Sequence, residues 1–125
     1  MIKSKNSSTR VFKTAWFAKV ARKARIDDVE LCAAIREVMQ GQVDDLGGGV
    51  FKKRLNDNMH RSIILAKGGC FWIYEYLFAK NDRDNIADDE LTAFRILAKA
   101  YAELTGRQVE QLLHEKDLTE ICHDD

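Results

Sequence analysis

No proline occurs among the 125 residues, and glycine is limited to seven. A chain without proline, with 46% apolar residues, is not built of proline-rich spacers or long disordered segments. Long hydrophobic runs are missing too. None reaches the roughly 18 to 20 residues that a bilayer span requires. The polar, basic stretch Met1 to Arg10 is not followed by an uninterrupted apolar core, because Lys13, Lys19, Arg22 and Lys23 break it up. A cytoplasmic protein, with no membrane contact, is expected. Cysteine is sparse: Cys32, Cys70 and Cys122 have no C-x-x-C spacing, so neither a disulfide framework nor a zinc site is suggested. All three read as ordinary thiols. His114 and His123 lie too far apart for a two-ligand helical motif and read as solvated. There is no Ser-His-Asp order, no Walker glycine loop and no H-E-x-x-H helix. Neither a metal nor a cofactor is expected.

What is present is the substance of one domain, 1–125, long enough for a single core. Its net charge of zero hides a segregation along the chain. Residues 1–25 hold eight Lys/Arg and no acid, and residues 26–47 hold one against six acids. Residues 48–83 hold seven against three, and residues 84–125 hold four against eleven. A basic central region between acidic helices is suited to phosphates, although solvated faces would give the same pattern.

Periodicity organises the chain into an α+β fold. From Val11 to Ile26 the residues Phe12, Trp16, Phe17, Val20, Ala21 and Ala24 recur at helical spacing among cations, which predicts an amphipathic helix with a basic outer face. Asp27 or Asp28 can cap a second helix, Val29 to Gln40, with Leu31, Ala34, Ile35 and Val38 on its apolar side and Gly41 as its stop. Together they predict a helical hairpin over about 11–41. A sheet of three to four antiparallel strands is expected over about 43–79, with strands at Val50 to Leu55, Ser62 to Ala66 and Phe71 to Ala79. The turn Lys67-Gly68-Gly69-Cys70 offers two glycines for positive φ. The nearly unbroken run from Phe71 suggests a central strand covered on both faces. C-terminal helices follow over about 88–114. The first starts at Asp88 with Leu91, Phe94, Leu97, Ala98 and Tyr101 as its stripe, and an acidic tail at 115–125 closes the chain.

The acid pairs Asp44-Asp45 and Asp88-Asp89 read as loop and capping residues, which leaves cations to carry any chemistry. On an extended strand Lys52 and Arg54 share a face while Lys53 takes the other. Arg61 opens the next strand, and Lys80 and Arg83 follow the last. Such a set suits RNA cleavage without a metal, because charge builds on the phosphoryl oxygens as the ribose 2′-oxygen attacks. His60 is placed to shuttle protons, the role that histidine fills most often in general acid–base catalysis.

Three stretches resemble the small toxins of the RelE/ParE superfamily, in particular the HigB-like branch of bacterial type II toxin–antitoxin systems. They are Gly47-Gly48-Gly49-Val50-Phe51-Lys52-Lys53-Arg54, His60-Arg61-Ser62-Ile63-Ile64, and the segment Leu77 to Leu91. The last contains Phe78, Ala79, Lys80, Arg83, Asn85 and Ile86 in the family's spacing Phe-Ala-Lys-x-x-Arg-x-Asn-Ile. The resemblance covers roughly residues 46–101. It implies a ribosome-dependent mRNA endonuclease held inactive by a cognate antitoxin, commonly a small helix-turn-helix protein. It also implies Arg61, Arg83 and Lys80 as catalytic residues, with Lys52, Lys53 and Arg54 contacting RNA and ribosome; His60 joins the catalytic set by its own chemistry, and Lys67 joins the cations expected to contact RNA and ribosome. Two departures bear on the site: the loop Leu55 to Met59 is shorter than in many relatives, and His60 stands where an aromatic residue is frequent. Two other readings stay open. One is the DNA gyrase inhibition of the ParE branch, and the other is a non-catalytic domain that binds RNA or protein.

Overall fold

Tyr74 places its ring in the middle of the molecule and donates its hydroxyl to the Leu31 carbonyl at 2.7 Å, joining the central strand to a helix above it. Burial pushes that phenol's pKa up, so it stays protonated as a donor. The computed structural model in which this contact occurs describes residues 9–68 and 70–123. In chain order these form β1 (Arg10–Thr14), α1 (Ala15–Lys23), α2 (Asp28–Met39), β2 (Asp44–Gly47), β3 (Val50–Leu55) and β4 (His60–Lys67). There follow β5 (Phe71–Ala79), α3 (Asp88–Ala102), α4 (Gly106–His114) and β6 (Leu118–Ile121).

The strands lie in the order β2-β3-β4-β5-β1-β6. The α+β class and the three middle strands agree with the sequence reading, but the sheet is larger and mixed. β1 runs parallel to β5, whereas every other pairing is antiparallel. The first predicted helix is therefore corrected: Arg10–Thr14 is a strand, and the helix begins only at Ala15. Val11 and Phe12 are buried in clusters on opposite faces of the sheet, so consecutive apolar residues imitated a helical stripe. Thr14 marks the change, its side chain accepting from the Phe17 amide at 3.0 Å as the N-cap. The acidic tail is corrected as well, since Leu118–Ile121 forms the edge strand β6 against β1.

Helix α2 starts and stops as its residues dictate. Asp27 caps it through the Glu30 amide at 3.0 Å, and Gly41 follows its end with φ of 92°. Instead of packing mainly on each other, α1 lies on β5 and α2 on β3, with Phe17, Ala21, Leu31 and Ile35 in one shared core. Helices α3 and α4 cover the opposite face. Where β4 meets β5 the register shifts, Ile63 pairing with Tyr76 and Ile64 with Tyr74, so Glu75 is the extra residue of a bulge. The shift resets the alternation: Tyr74 and Leu77 face the first pair of helices, while Tyr76 and Phe78 face α3.

The β4–β5 turn also differs from expectation. Cys70 donates its amide to the Lys67 carbonyl at 2.9 Å across the β4–β5 turn, but Gly68 does not take the left-handed conformation. The conformation of Gly69 lies outside the described residues. The three-glycine turn is left-handed throughout, with φ of 85°, 66° and 84° at Gly47, Gly48 and Gly49. Gly49 needs its lack of a side chain, since a Cβ there would come within 3.1 Å of the Ala66 carbonyl oxygen.

The cysteines are corrected too. Cys32 of α2 and Cys122, just past β6, form a disulfide across 90 residues, with Cα atoms 5.4 Å apart, and Cys70 is a free, exposed thiol. No local spacing could announce that bond, because the strand that delivers Cys122 was itself hidden in a polar tail.

Candidate functional site

Directly opposed residues on neighbouring strands share a face, and this rule sorts the cations. Arg54 of β3 pairs with Arg61 of β4, and Arg61 in turn with Phe78 of β5. Lys52 is two residues from Arg54 and pairs with Ile63. Lys52, Arg54, Arg61 and Phe78 therefore lie on the α3 side of the sheet. Lys53 and His60 lie on the other, opposite Ser62 and Leu55 respectively. The division of Lys52 and Arg54 from Lys53 is the one that strand periodicity predicted.

The face that holds Arg61 gathers further cations through the loop after β5. Asn85 receives Lys52 Nζ at 3.3 Å on its side-chain oxygen and Arg83 Nε at 3.0 Å on its backbone oxygen. Arg83 also sits over the Phe78 ring, 5.6 Å from its centroid, beside the cross-strand partner of Arg61. Arg61 Nη1 donates to the Asn58 carbonyl at 2.9 Å. Among the described residues neither Arg54 nor Arg61 has a carboxylate partner. Two like charges directly opposed on a sheet destabilise it, so folding alone gives no reason for the pair, and a bound anion would relieve it.

The short β3–β4 turn holds this edge in shape. Asn56, Asp57 and Asn58 take φ of 56°, 52° and 71°, a left-handed run that Asn and Asp tolerate better than other side chains. The Asn56 amide donates to the Glu30 carboxylate, and its side-chain nitrogen lies 3.1 Å from His60 Nδ1. Lys80 enters through its backbone, donating to the Met59 carbonyl at 2.9 Å and so tying the loop after β5 to the same turn.

Not every predicted residue joins the cluster. Lys53 is held on the opposite face by Glu37 at 2.8 Å and by the Gln42 carbonyl at 2.9 Å. Lys67 stands at the far end of β4 from His60 and Arg61, beside Arg10 and Phe71. Arg83 is present but engaged. Its two terminal nitrogens form a fork with the carboxylate of Glu90, and Nη1 also lies 3.5 Å from the Tyr76 hydroxyl. Hydrogen bonding from Arg83, and then from the Ala87 amide, lowers the Glu90 pKa below the ordinary glutamate value.

A cleft of about 450 Å³ opens at the end of the sheet, where β5 runs on past its pairing with β1. Trp16, Lys23, His60, Tyr76, Leu77 and Arg83 are among its walls. The sequence reading placed Trp16 in a core stripe, but the ring is 48% exposed and stacks on Tyr76 with centroids 5.2 Å apart. Neither Trp16 nor Tyr76 was a predicted site residue. An unbroken aromatic strand carries no local sign of which ring lines a cleft. Among the described residues no three His, Cys, Asp or Glu side chains gather as metal ligands would.

The arrangement can bind anionic oxygens on one sheet face and hold a flat ring at its end. Comparison with known families supplies the context. Residues 9–121 match the model of the RelE toxin of the RelE/RelB toxin–antitoxin system. No curated protein and no solved structure matches the chain.

Proposed function

Because the chain belongs to the RelE toxin family, we propose that it is a ribosome-dependent mRNA endonuclease, restrained by a cognate antitoxin that is a small helix-turn-helix protein. The observation that carries this reading is the uncompensated Arg54–Arg61 pair, with Lys52 and Arg83 on the same face. In the proposed reaction the 2′-oxygen bonds to the adjacent phosphorus and the bond to the 5′-oxygen breaks. A proton leaves the 2′-hydroxyl and one arrives on the departing 5′-oxygen. The products are a 2′,3′-cyclic phosphate and a 5′-hydroxyl. Arg61 and Arg83 stabilise the negative charge on the phosphoryl oxygens, Arg83 turning part of its fork from Glu90 to the substrate. Lys80, Lys52 and Arg54 hold neighbouring phosphates. His60, on the other face but in the cleft with Arg83, serves proton transfer at the sheet's end. Lys53 and Lys67 are left as contacts to the ribosome or to flanking RNA. Among the described residues no helix is long and apolar enough to cross a membrane, and work on ribosomes would place the protein in the cytoplasm.

Expression in cells supplies the test. Induction alone should arrest growth and translation, and co-expression with the antitoxin should restore both. Messenger RNA should be cut within translated frames with 5′-hydroxyl downstream ends, while purified protein cuts free RNA poorly because the ribosome supplies the substrate geometry. Intact mRNA with DNA breaks or lost supercoiling would select gyrase inhibition instead.

A further inference from the structure

The face of α1 has no part in the reading above, yet its composition is one-sided. Residues 9–26 contain six cations and no carboxylate. Lys13 is paired, at 2.7 Å, with Asp28 of α2. Lys19, Arg22, Lys23 and Arg25 are exposed, and none of them has an ion-pair partner among the described residues. Trp16 stands on the same helix at the cleft mouth. One face of its indole lies on Tyr76 with the planes 15° apart, and nearly half of the side chain is open. An exposed aromatic surface bordered by unpaired cations has two of the parts from which single-stranded nucleic acid sites are made, a stacking platform and a backbone track.

We propose that the cleft between α1 and the end of β5 binds one unpaired nucleobase of single-stranded RNA, stacked on the outer face of Trp16, with its flanking phosphates on Lys23 and Lys19. This subsite rests on the RNA-cleaving reading and extends it. Arg83 lines the cleft and also lies over Phe78, the cross-strand neighbour of Arg61. The base in the cleft is therefore next to the phosphate held at Arg61, on a path that turns around the sheet's end. Asp82, the carboxylate of the cleft wall, can accept from an exocyclic amino group of the base. An acidic peptide could answer the positive charge, but it would leave the open indole face without a planar partner.

The test uses the full chain with Trp72→Phe as the background, so that emission reports Trp16 alone. Titration with a ten-nucleotide single-stranded RNA should quench Trp16. Trp16→Ala and Trp16→Phe carry no tryptophan in this background, so their affinity is read from the anisotropy of a dye-labelled copy of the same RNA; Trp16→Ala should weaken binding by about tenfold or more, within the range that a stacked base contributes. Trp16→Phe should keep most of the affinity. An RNA with abasic sugars should bind the unsubstituted protein and Trp16→Ala equally, because the lost contact is to the base. Melting curves accompany each variant; should Trp16→Ala unfold, the Phe variant and the abasic strand still decide. Undiminished RNA binding by a folded Trp16→Ala, or equal affinity for abasic and ordinary RNA, overturns the proposal. So does a variant that loses only antitoxin binding, since the cleft would then belong to a peptide. Ribosomal cleavage that persists in that variant and is lost in Arg61→Ala would remove this subsite and leave the nuclease reading standing.

Discussion

At the scale of single residues, the site is defined by which charges have partners. Arg61 faces Arg54 across the β3–β4 ladder and donates only to backbone carbonyls, so its removal relieves repulsion and strands no carboxylate. Arg61→Ala is therefore expected to change stability by under about 1 kcal/mol while slowing cleavage about a hundredfold or more, the usual cost of losing one charge-stabilising donor. Melting curves beside in-cell cleavage assays separate the two effects. A folded, fully toxic Arg61→Ala would remove the residue from the site. Arg83 differs because it also organises its loop through Glu90, Asn85 and Tyr76. Arg83→Ala should abolish toxicity and loosen the segment between β5 and α3. Arg83→Lys should rescue only partly, since an ammonium cannot reproduce the fork. Hydrogen exchange across 80–87 reports the loosening, and an unchanged exchange pattern would mean that Glu90 holds nothing in place.

Among the elements, β6 carries the clearest linkage to pH. It pairs with β1 over Val11 to Thr14, and Arg10 grips Glu120 through two bonds of 2.9 and 2.7 Å and reaches Glu110 of α4 at 3.3 Å. Hydrogen bonding from Arg10 lowers the Glu120 pKa below its ordinary value. A carboxylate whose folded pKa is depressed adds stability above its unfolded pKa and loses it as pH falls through the folded one. Glu120→Gln is thus expected to melt below the unsubstituted protein at neutral pH, the gap closing in acid. The pair is partly exposed, so the neutral gap should be no more than about 1 kcal/mol. A gap independent of pH would assign the loss to packing. Glu75 acts in the reverse sense. Burial in the bulge raises its pKa, against the hydrogen bond from the Tyr101 hydroxyl at 2.9 Å, so its share of stability declines as pH rises past the ordinary glutamate value.

On the scale of the whole molecule, the bond from Cys32 to Cys122 fastens the edge strand to the helical layer across 90 residues of chain. Closing so long a loop restricts the unfolded ensemble, and such bonds contribute roughly 2–5 kcal/mol. Thiol titration of the unreduced native protein should find one reactive group, Cys70. Reductant should lower the melting temperature of the unsubstituted chain to that of Cys32→Ser and leave the variant unmoved. Three reactive thiols without reductant would show the bond unformed. The sequence by itself determined what local physics writes: β3 and β5 with their ends, a cap at Asp27 or Asp28 and the stop at Gly41, the stripe of α3, and the division of Lys52 and Arg54 from Lys53 by strand alternation. Its Gly-rich turn, basic strands and Phe-Ala-Lys segment also carried the family. Only the tertiary structure decided that Arg10–Thr14 is a strand, that the tail supplies β6, that two distant cysteines meet, that Glu90 holds Arg83, and that Trp16 opens onto a cleft. Apart from the Arg83–Glu90 fork, which spans seven residues, those features depend on partners tens of residues away. A pairing of that kind takes its free energy from burial and hydrogen bonds completed only when the sheet closes, and it leaves no period in the chain to be read.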